Sequence, residues 1–130
     1  MIKERYVSLE VAKLLRDKGF NEGCNAIYGY ENSLHTNIFT CHNSEFEECV
    51  TAPTQSMACD WTEETFNISI EVYVNIIGYL VCICHSLKDS NIASNVIQDD
   101  MPCGDNSDGS WSSKELAYNE ALKYVLTNLV

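Results

Sequence analysis

The sequence predicts a small single α+β domain, in which an antiparallel sheet of about four strands carries helices packed mainly on one face. The most informative segment is 51–76, where apolar residues recur first at helical spacing and then alternate strictly from Ile68 onwards. A period of about 3.6 followed by a period of about 2 indicates a helix that leads into a half-buried strand. Serine N-caps precede apolar stripes near both ends of the chain and add helices there. The length of 130 residues fits one domain, 1–130.

The first half of the chain predicts a helix and then a hairpin. Ser8 suits a helix N-cap and Gly19 suits a left-handed C-terminal position, so the first helix should span about 8–18. Alternation over residues 26–30, a turn, and a β-branched and aromatic stretch at 34–41 predict two paired strands.

The second half adds a helix, two strands and a last helix, which makes the order α-β-β-α-β-β-α. The middle helix should begin near Pro53, since proline suits a first turn that needs no amide donor, and should end at a left-handed Asn67. Strands should follow at 68–75 and about 79–86, and the second should be central because both its faces are apolar. The core-facing side of the middle helix is expected to hold Met57, Ala58, Trp61 and Thr65.

The last part of the chain combines a polar loop with an apolar helix. Residues 88–111 are rich in Asp, Asn and Ser and should form a long surface loop. The motif Ser112-Ser-Lys-Glu115 is typical of a capping box, so a third helix should start there and run to about Asn128.

Charge and composition exclude several classes of function. A net charge of −11, from 19 acidic and 8 basic residues, repels phosphate backbones and anionic membranes, so no direct nucleic-acid or membrane binding is expected. A basic protein partner is favoured, although solubility explains such a charge more simply. No apolar signal core follows Met1, and seven unevenly spaced cysteines are typical of reduced thiols, which together predict a cytoplasmic protein.

Three segments carry a family resemblance: residues 3–20, the run Ala-Pro-Thr-Gln-Ser-Met-Ala at 52–58 with Trp61, and residues 113–129. Together they resemble a family of small uncharacterised proteins from gut Bacteroidales, their phages and their mobile elements. The resemblance covers roughly half of the chain, and it departs at Thr62, where the family has a Leu-Arg pair. It implies a phage or mobile-element setting and supplies neither an activity nor site residues.

Two groups of residues have the chemistry of metal ligands. Zinc needs about four thiol or imidazole ligands at short range, and five candidates could converge if strands two and four were neighbours. The zinc candidates are Cys41, His42, Cys82, Cys84 and His85. Packed strand thiols explain them better, because His85 would face away from the two nearby cysteines. Residues 104–115 have EF-hand-like spacing but begin with glycine rather than aspartate, so no metal and no other cofactor is predicted.

The chain contains no nucleophile elbow, phosphate loop or zinc-protease motif. The predicted function is therefore a non-enzymatic, cytoplasmic protein-interaction module of phage or mobile-element origin. One alternative is an acidic mimic of nucleic acid that inhibits a host defence or replication protein, and another is a small metal-dependent module or enzyme. The candidate partner-binding residues are Asp60, Glu63, Glu64, Asp99, Asp100 and Trp111. The aromatic residues Tyr28, Tyr30 and Tyr73 could also anchor a partner if they are exposed, although core packing is the more common role.

Overall fold

The computed structural model describes residues 3–85 and 103–130, and it confirms the α+β class. The described residues form three helices, α1 (Leu9–Asp17), α2 (Gln55–Phe66) and α3 (Lys114–Asn128). Their strands are β1 (Ile27–Tyr28), β2 (Leu34–His35), β3 (Val50–Thr51), β4 (Ile68–Asn75) and β5 (Gly78–His85). A 3₁₀ helix at Asn43–Glu45 and the short strand β3 before α2 are the two additions to the predicted order among the described residues. None of these helices is long and apolar enough to cross a membrane.

The strands form two antiparallel sheets where the sequence indicates one sheet of about four strands. One sheet has the order β2-β1-β3, and the other is the hairpin of β4 and β5. The predicted strand at 34–41 is only two residues long, because Asn37 adopts a left-handed φ of 57° that interrupts the extended backbone. An isolated bridge between Cys24 and Cys41 resumes the pairing beyond that point.

The ends of α1 and α2 follow the signals in the sequence. The hydroxyl oxygen of Ser8 accepts a hydrogen bond from the backbone N–H three residues further on, and Thr54 caps α2 in the same way. Each such cap stabilises its helix by about 1 kcal/mol. Gly19, with a φ of 99°, follows the end of α1, and Asn67, with a φ of 61°, ends α2 as predicted.

Helix α3 begins one residue later than the capping-box motif indicates. Its N-cap is Ser113, whose hydroxyl oxygen accepts from the N–H of Leu116 at 3.1 Å. Ser112 is turned towards the preceding loop instead, where its N–H and hydroxyl donate to the carboxylate of Asp105. The predicted helix end at Asn128 is confirmed.

The core lies between α1, α3 and the base of the β4–β5 hairpin. Helix α3 contacts α1 and both strands of the hairpin. It buries Ala117, Ala121, Leu122, Tyr124, Val125 and Leu126. The other elements add Val11, Ala12, Leu15, Ile68, Ile70, Val81 and Ile83. The hairpin is therefore anchored at its base, next to the end of α2.

The buried face of α2 agrees with the predicted one at Ala58 and in part at Trp61, which packs against the core, but differs at the other two positions. Its buried residues are Gln55, Ala58 and Thr62, whereas Met57 is 38% exposed and Thr65 is exposed. This face packs against α3 and β4. The hydroxyl of Thr62 donates to the carbonyl oxygen of Ala58 at 2.7 Å. Because its hydroxyl is bonded in this way, Thr62 can be buried in the core, although the spacing of apolar residues did not predict it there.

Within the described residues, β5 is not the central strand that its apolar faces predict. Its neighbours there are β4 and a single bridge between Tyr79 and Trp111. Leu80, Cys82 and Cys84, on its second face, are half-buried rather than buried. One face of the hairpin therefore packs on the core, and the other face is partly open.

Candidate functional site

The end of the β4–β5 hairpin projects beyond the core. The alternation along β4 predicts one continuous buried face, but Ile70 is 8% exposed whereas Val74 is 64% exposed. At the turn, Ile76 is fully exposed and Ile77 is 46% exposed. We call Tyr73, Val74, Ile76 and Ile77 the hairpin tip. Exposed apolar residues that are grouped in this way mark interaction sites, whereas single ones do not.

The hairpin tip is apolar on both faces of the hairpin. Tyr73 and Val74 are consecutive strand residues, so their side chains point to opposite faces. Ile76 and Ile77 form the connecting turn, where Gly, Asn or Asp is usual. If the core packed against one face of the hairpin, the tip side chains on the other face would therefore stay exposed.

Residues 103–112, which we call the support loop, hold the hairpin next to its turn. Backbone hydrogen bonds join Tyr79 and Trp111 in both directions, at 3.0 and 2.8 Å. The hydroxyl oxygen of Ser110, a fully buried residue, lies 2.9 Å from the carbonyl oxygen of Ile77. The described part of the predicted polar loop is thus a docked structure that fixes the position of the tip.

Two glycines make this close docking possible. Gly78 has a φ of 143°, and a Cβ atom there would lie 2.6 Å from the hydroxyl oxygen of Ser110 and 2.9 Å from the carbonyl oxygen of Trp111. A Cβ atom at Gly104 would lie 2.0 Å from the carbonyl oxygen of Ser110. A side chain at Gly78 would push the loop and the hairpin apart, and a side chain at Gly104 would clash with the backbone inside the loop.

The two carboxylates of the support loop are used inside it. Asp108 accepts from the hydroxyl and the N–H of Ser110, at 2.6 and 3.0 Å, and Asp105 accepts from the hydroxyl and the N–H of Ser112. These bonds lower the pKa of each carboxyl, and the bond from the serine hydroxyl has a larger effect than the bond from the serine N–H. The aspartates in the EF-hand-like segment 104–115 therefore serve as internal hydrogen-bond acceptors.

The structure does not bring the five zinc candidates together. They are divided between the first sheet and β5, with Cys41 and His42 beside one and Cys82, Cys84 and His85 on the other. The thiol of Cys41 donates to the carbonyl oxygen of Cys24 at 3.4 Å, and Nδ1 of His42 lies 3.0 Å from Oε1 of Glu45. Residues 3–85 and 103–130 contain no group of three or more side chains that could hold a metal ion.

The acidic candidates on α2 border a small cleft. Asp60 and Glu64 are exposed and Glu63 is half-buried. The cleft has a volume of about 240 Å³ and is lined by Glu22, Gly23, Met57, Asp60, Trp61 and Glu64. We call it the acidic cleft. Its rim of carboxylates around a thioether and an indole suits a basic side chain, which could contact both the charge and the ring.

Of the remaining candidates, Trp111 and Tyr28 are not exposed anchors, whereas Tyr30 is 80% exposed. Trp111 is 7% exposed and belongs to the core, because its backbone pairs with β5 and draws the ring inwards, so it is not available as a surface anchor. Tyr28 is half-buried and donates its hydroxyl to the carbonyl oxygen of Val7 at 2.7 Å. Asp99 and Asp100 lie outside the described residues.

Sequence reasoning missed the hairpin tip, apart from naming Tyr73 as an aromatic residue. Strict alternation indicates a buried face, so Val74 and Ile76 were expected in the core. The signal that could have identified it is the Ile76–Ile77 pair at the hairpin turn. Isoleucine is unusual in such turns, and side chains at the turn lie too far from the core to be buried.

Cys59 illustrates the chemistry available on this part of the molecule. It belongs to α2 and lines a larger cleft near the N-terminal segment. Burial of its thiol, together with the nearby charge of Asp60, raises the pKa of Cys59 to about 12. A thiol with that pKa is protonated at neutral pH, so it is a poor nucleophile. Binding is therefore better supported here than thiolate chemistry.

In comparisons with known proteins, the chain matches no family model, no curated protein and no solved structure. The origin that the resemblance implies therefore stays a prediction.

Proposed function

We propose that the protein is a non-enzymatic interaction module that binds a partner protein through its hairpin tip. The observation that carries this proposal is four neighbouring large apolar side chains exposed on a hairpin whose position is fixed by the support loop. Burial of a side chain such as Ile76 in a partner would contribute about 1.5–3 kcal/mol. A few anchors of this kind supply most of the binding free energy at protein interfaces.

The chemistry of the partner follows from the surroundings of the tip. Glu71 is exposed on β4, two residues before Tyr73, and the whole chain carries a net charge of −11. Repulsion between two such acidic chains disfavours a second copy as the occupant. We infer a partner with an apolar groove whose rim is basic, since complementary charges speed association and select the correct partner.

The proposed setting is the cytoplasm of a bacterium that hosts a phage or mobile element. All seven cysteines lie in the described residues, and all seven are free thiols, as is usual in a reducing compartment. The phage or mobile-element origin rests on the sequence resemblance alone, so it belongs to the proposal.

The proposal is tested with Ile76→Asp and a matched control, Phe39→Asp. Both side chains are nearly or fully exposed, at 103% and 94%, so neither substitution should disturb folding. Tagged wild-type protein would be used to capture partners from a gut Bacteroidales lysate, and the captured protein would then be purified for calorimetry. We expect the control to bind as the wild type does and Ile76→Asp to bind at least about tenfold more weakly.

Equal binding by wild type and Ile76→Asp would contradict a role for the tip. Sedimentation of the protein alone supplies a second check. A concentration-dependent dimer that Ile76→Asp abolishes would show that the tip contacts another copy of the chain, and would thus overturn the heteromeric proposal.

The acidic-mimic alternative draws on the acidic cleft, where Asp60 and Glu64 are exposed. It differs from the leading proposal in a measurable way. If the acidic surface occupies the nucleic-acid-binding site of the partner, the double variant Asp60→Lys/Glu64→Lys should abolish binding. Ile76→Asp should then leave binding intact. Elemental analysis of the purified protein tests the metal-dependent alternative separately.

A further inference from the structure

A larger cleft, of about 500 Å³, lies where the N-terminal segment crosses the first turns of α2 and α3. Its walls include Lys3 and Arg5 from the N-terminal segment, Gln55 from α2, Lys114 from α3 and Ile70 from β4. The N–H of Gln55 donates to the carbonyl oxygen of Arg5 at 2.7 Å, which ties the segment to the helix. We call this the basic cleft, and its volume is in the range of small-molecule sites.

Unpaired positive charge is concentrated in the basic cleft. Three of the seven lysine and arginine side chains in the described residues line it, and none of the three forms an ion pair there. Arg16 and Lys123, by contrast, pair with neighbouring carboxylates. Glu4 and Asp60 also line the cleft, and Glu4 accepts from the hydroxyl of Tyr6 at 2.9 Å. Nζ of Lys114 lies 6.0 Å from the centroid of the Tyr118 ring, but none of the three cations has a carboxylate partner, which leaves room for an external anion.

Two helices begin at the cleft. Gln55 is the first residue of α2, which has 12 residues, and Lys114 is the first residue of α3, which has 15. The N-terminus of a helix carries about half a positive charge, so it favours an anion. The N–H groups of Gln55, Met57 and Leu116 are already bonded within the chain, so the contribution of the two termini is mainly their charge. The helix termini and the basic side chains therefore act in the same direction.

A buried polar atom of Gln55, a residue that lines both the basic cleft and a second cleft beside Tyr28, adds an independent requirement. Gln55 is 4% exposed, and its side-chain Nε2 donates to the carbonyl oxygen of Glu115 at 2.8 Å. That bond fixes which end of the amide is oxygen. The oxygen, Oε1, has no hydrogen-bond partner among the described residues. A buried acceptor without a partner is rare in folded proteins, so this atom calls for a donor from outside the chain.

We propose that the basic cleft binds a small molecule that carries an oxyanion, either phosphate or carboxylate, together with a hydroxyl or ammonium donor. The oxyanion lies among Lys3, Arg5 and Lys114 at the two helix termini. The donor bonds to Oε1 of Gln55. This site is separate from the hairpin tip, so it does not depend on the proposed partner.

Four small probes test the two halves of the proposal. Glycerol 3-phosphate and propyl phosphate share a phosphate, but only the first carries hydroxyl donors. L-Serine and propionate share a carboxylate, but only the first carries ammonium and hydroxyl donors. Titration of the full chain, followed by calorimetry and by amide chemical shifts, should show binding of one donor-bearing probe, with shifts at Gln55 and Lys114. The donor-free analogue should bind at least about tenfold more weakly.

Charge-neutralising variants supply the control. Arg5→Gln and Lys114→Gln should each weaken that binding by about tenfold, since a charge-assisted hydrogen bond is lost. Lys13→Gln removes a similar exposed charge from α1, away from the cleft, and should leave binding unchanged. All three positions are exposed, so folding should be retained.

Three results would overturn the proposal. The first is no binding of any probe at millimolar concentration. The second is equal binding of a donor-bearing probe and its donor-free analogue, which would remove the role of Gln55. The third is an equal loss in Lys13→Gln, which would show that only net charge matters.

Discussion

Replacement of Gly78 by alanine should destabilise the protein by about 2–6 kcal/mol. The backbone φ of 143° at Gly78 is one that side-chain-bearing residues rarely adopt, which costs about 1–3 kcal/mol. The added Cβ would also lie 2.6 Å from the hydroxyl oxygen of Ser110 and 2.9 Å from the carbonyl oxygen of Trp111. Relief of such overpacking costs about 1–3 kcal/mol more, because the hairpin and the support loop must separate.

Gly109→Ala is the matched control, since it lies in the same support loop and has a φ of 90°. A Cβ atom there meets only ordinary contacts, at 3.9 Å or more, so this variant should show the backbone cost alone. Urea unfolding followed by tryptophan fluorescence measures both variants, because Trp111 is buried beside the hairpin. The difference between the two unfolding free energies then isolates the steric contribution.

We expect Gly78→Ala to unfold at a urea concentration lower than that of Gly109→Ala by about 0.3–3 M, since the steric cost is about 1–3 kcal/mol and the free energy of unfolding falls by about 1–3 kcal/mol per M of urea. Equal midpoints for the two alanine variants would refute the inferred packing of the loop against the hairpin. If Gly78→Ala unfolded at the same urea concentration as the wild type, the expected cost of a side chain at this φ angle would be refuted as well.

Three further outcomes are expected. Leu122→Ala, at a fully buried position, should lose about 2–5 kcal/mol in urea unfolding, whereas Ile76→Ala, at a fully exposed one, should change stability by less than about 0.5 kcal/mol. Hydrogen bonds lower the folded-state pKa values of Asp105 and Asp108, so their stabilisation is present above the unfolded value of about 3.9 and is lost as the pH falls through the lower folded values. Urea midpoints between about pH 3 and pH 6 should therefore vary less in Asp105→Asn/Asp108→Asn than in the wild type, and an identical pH profile would argue against these bonds. Iodoacetamide at neutral pH should alkylate exposed Cys103 well before Cys59, whose pKa is about 12; mass spectrometry of the modified peptides gives the order, and faster alkylation of Cys59 would count against its burial.

Local signals in the sequence predicted local structure well. Ser8 and Asn67 mark helix ends through hydrogen bonds and φ angles that depend on adjacent residues only. The single four-stranded sheet was wrong because strand partners depend on distant residues. Asn37, in a left-handed conformation, ends the extended run of the second strand, and β4 and β5 pair only with each other among the described strands.

The surface of the molecule was harder to predict than its elements. An alternating pattern tells which side chains share a face, but not how far along a strand the core extends. Val74 and Ile70 belong to the same row of the pattern, yet only Ile70 reaches the core. The basic cleft was missed for a related reason, since Arg5, Gln55 and Lys114 are distant in the chain and meet only through the packing of α2 and α3.

The support loop connects the stability of the hairpin with its proposed role in binding. Ordering the backbone of one residue costs about 1–2 kcal/mol, and a flexible tip would lose that free energy at the moment of association. Contacts of Ser110 and Trp111 with Ile77 and Tyr79 order the tip when the chain folds, before a partner is met. A Ser110→Ala variant keeps every tip side chain but removes a contact that orders the tip. It should therefore bind the partner with a larger dissociation constant than the wild type. If that variant folds and binds as the wild type does, the tip does not need to be held in place in order to bind.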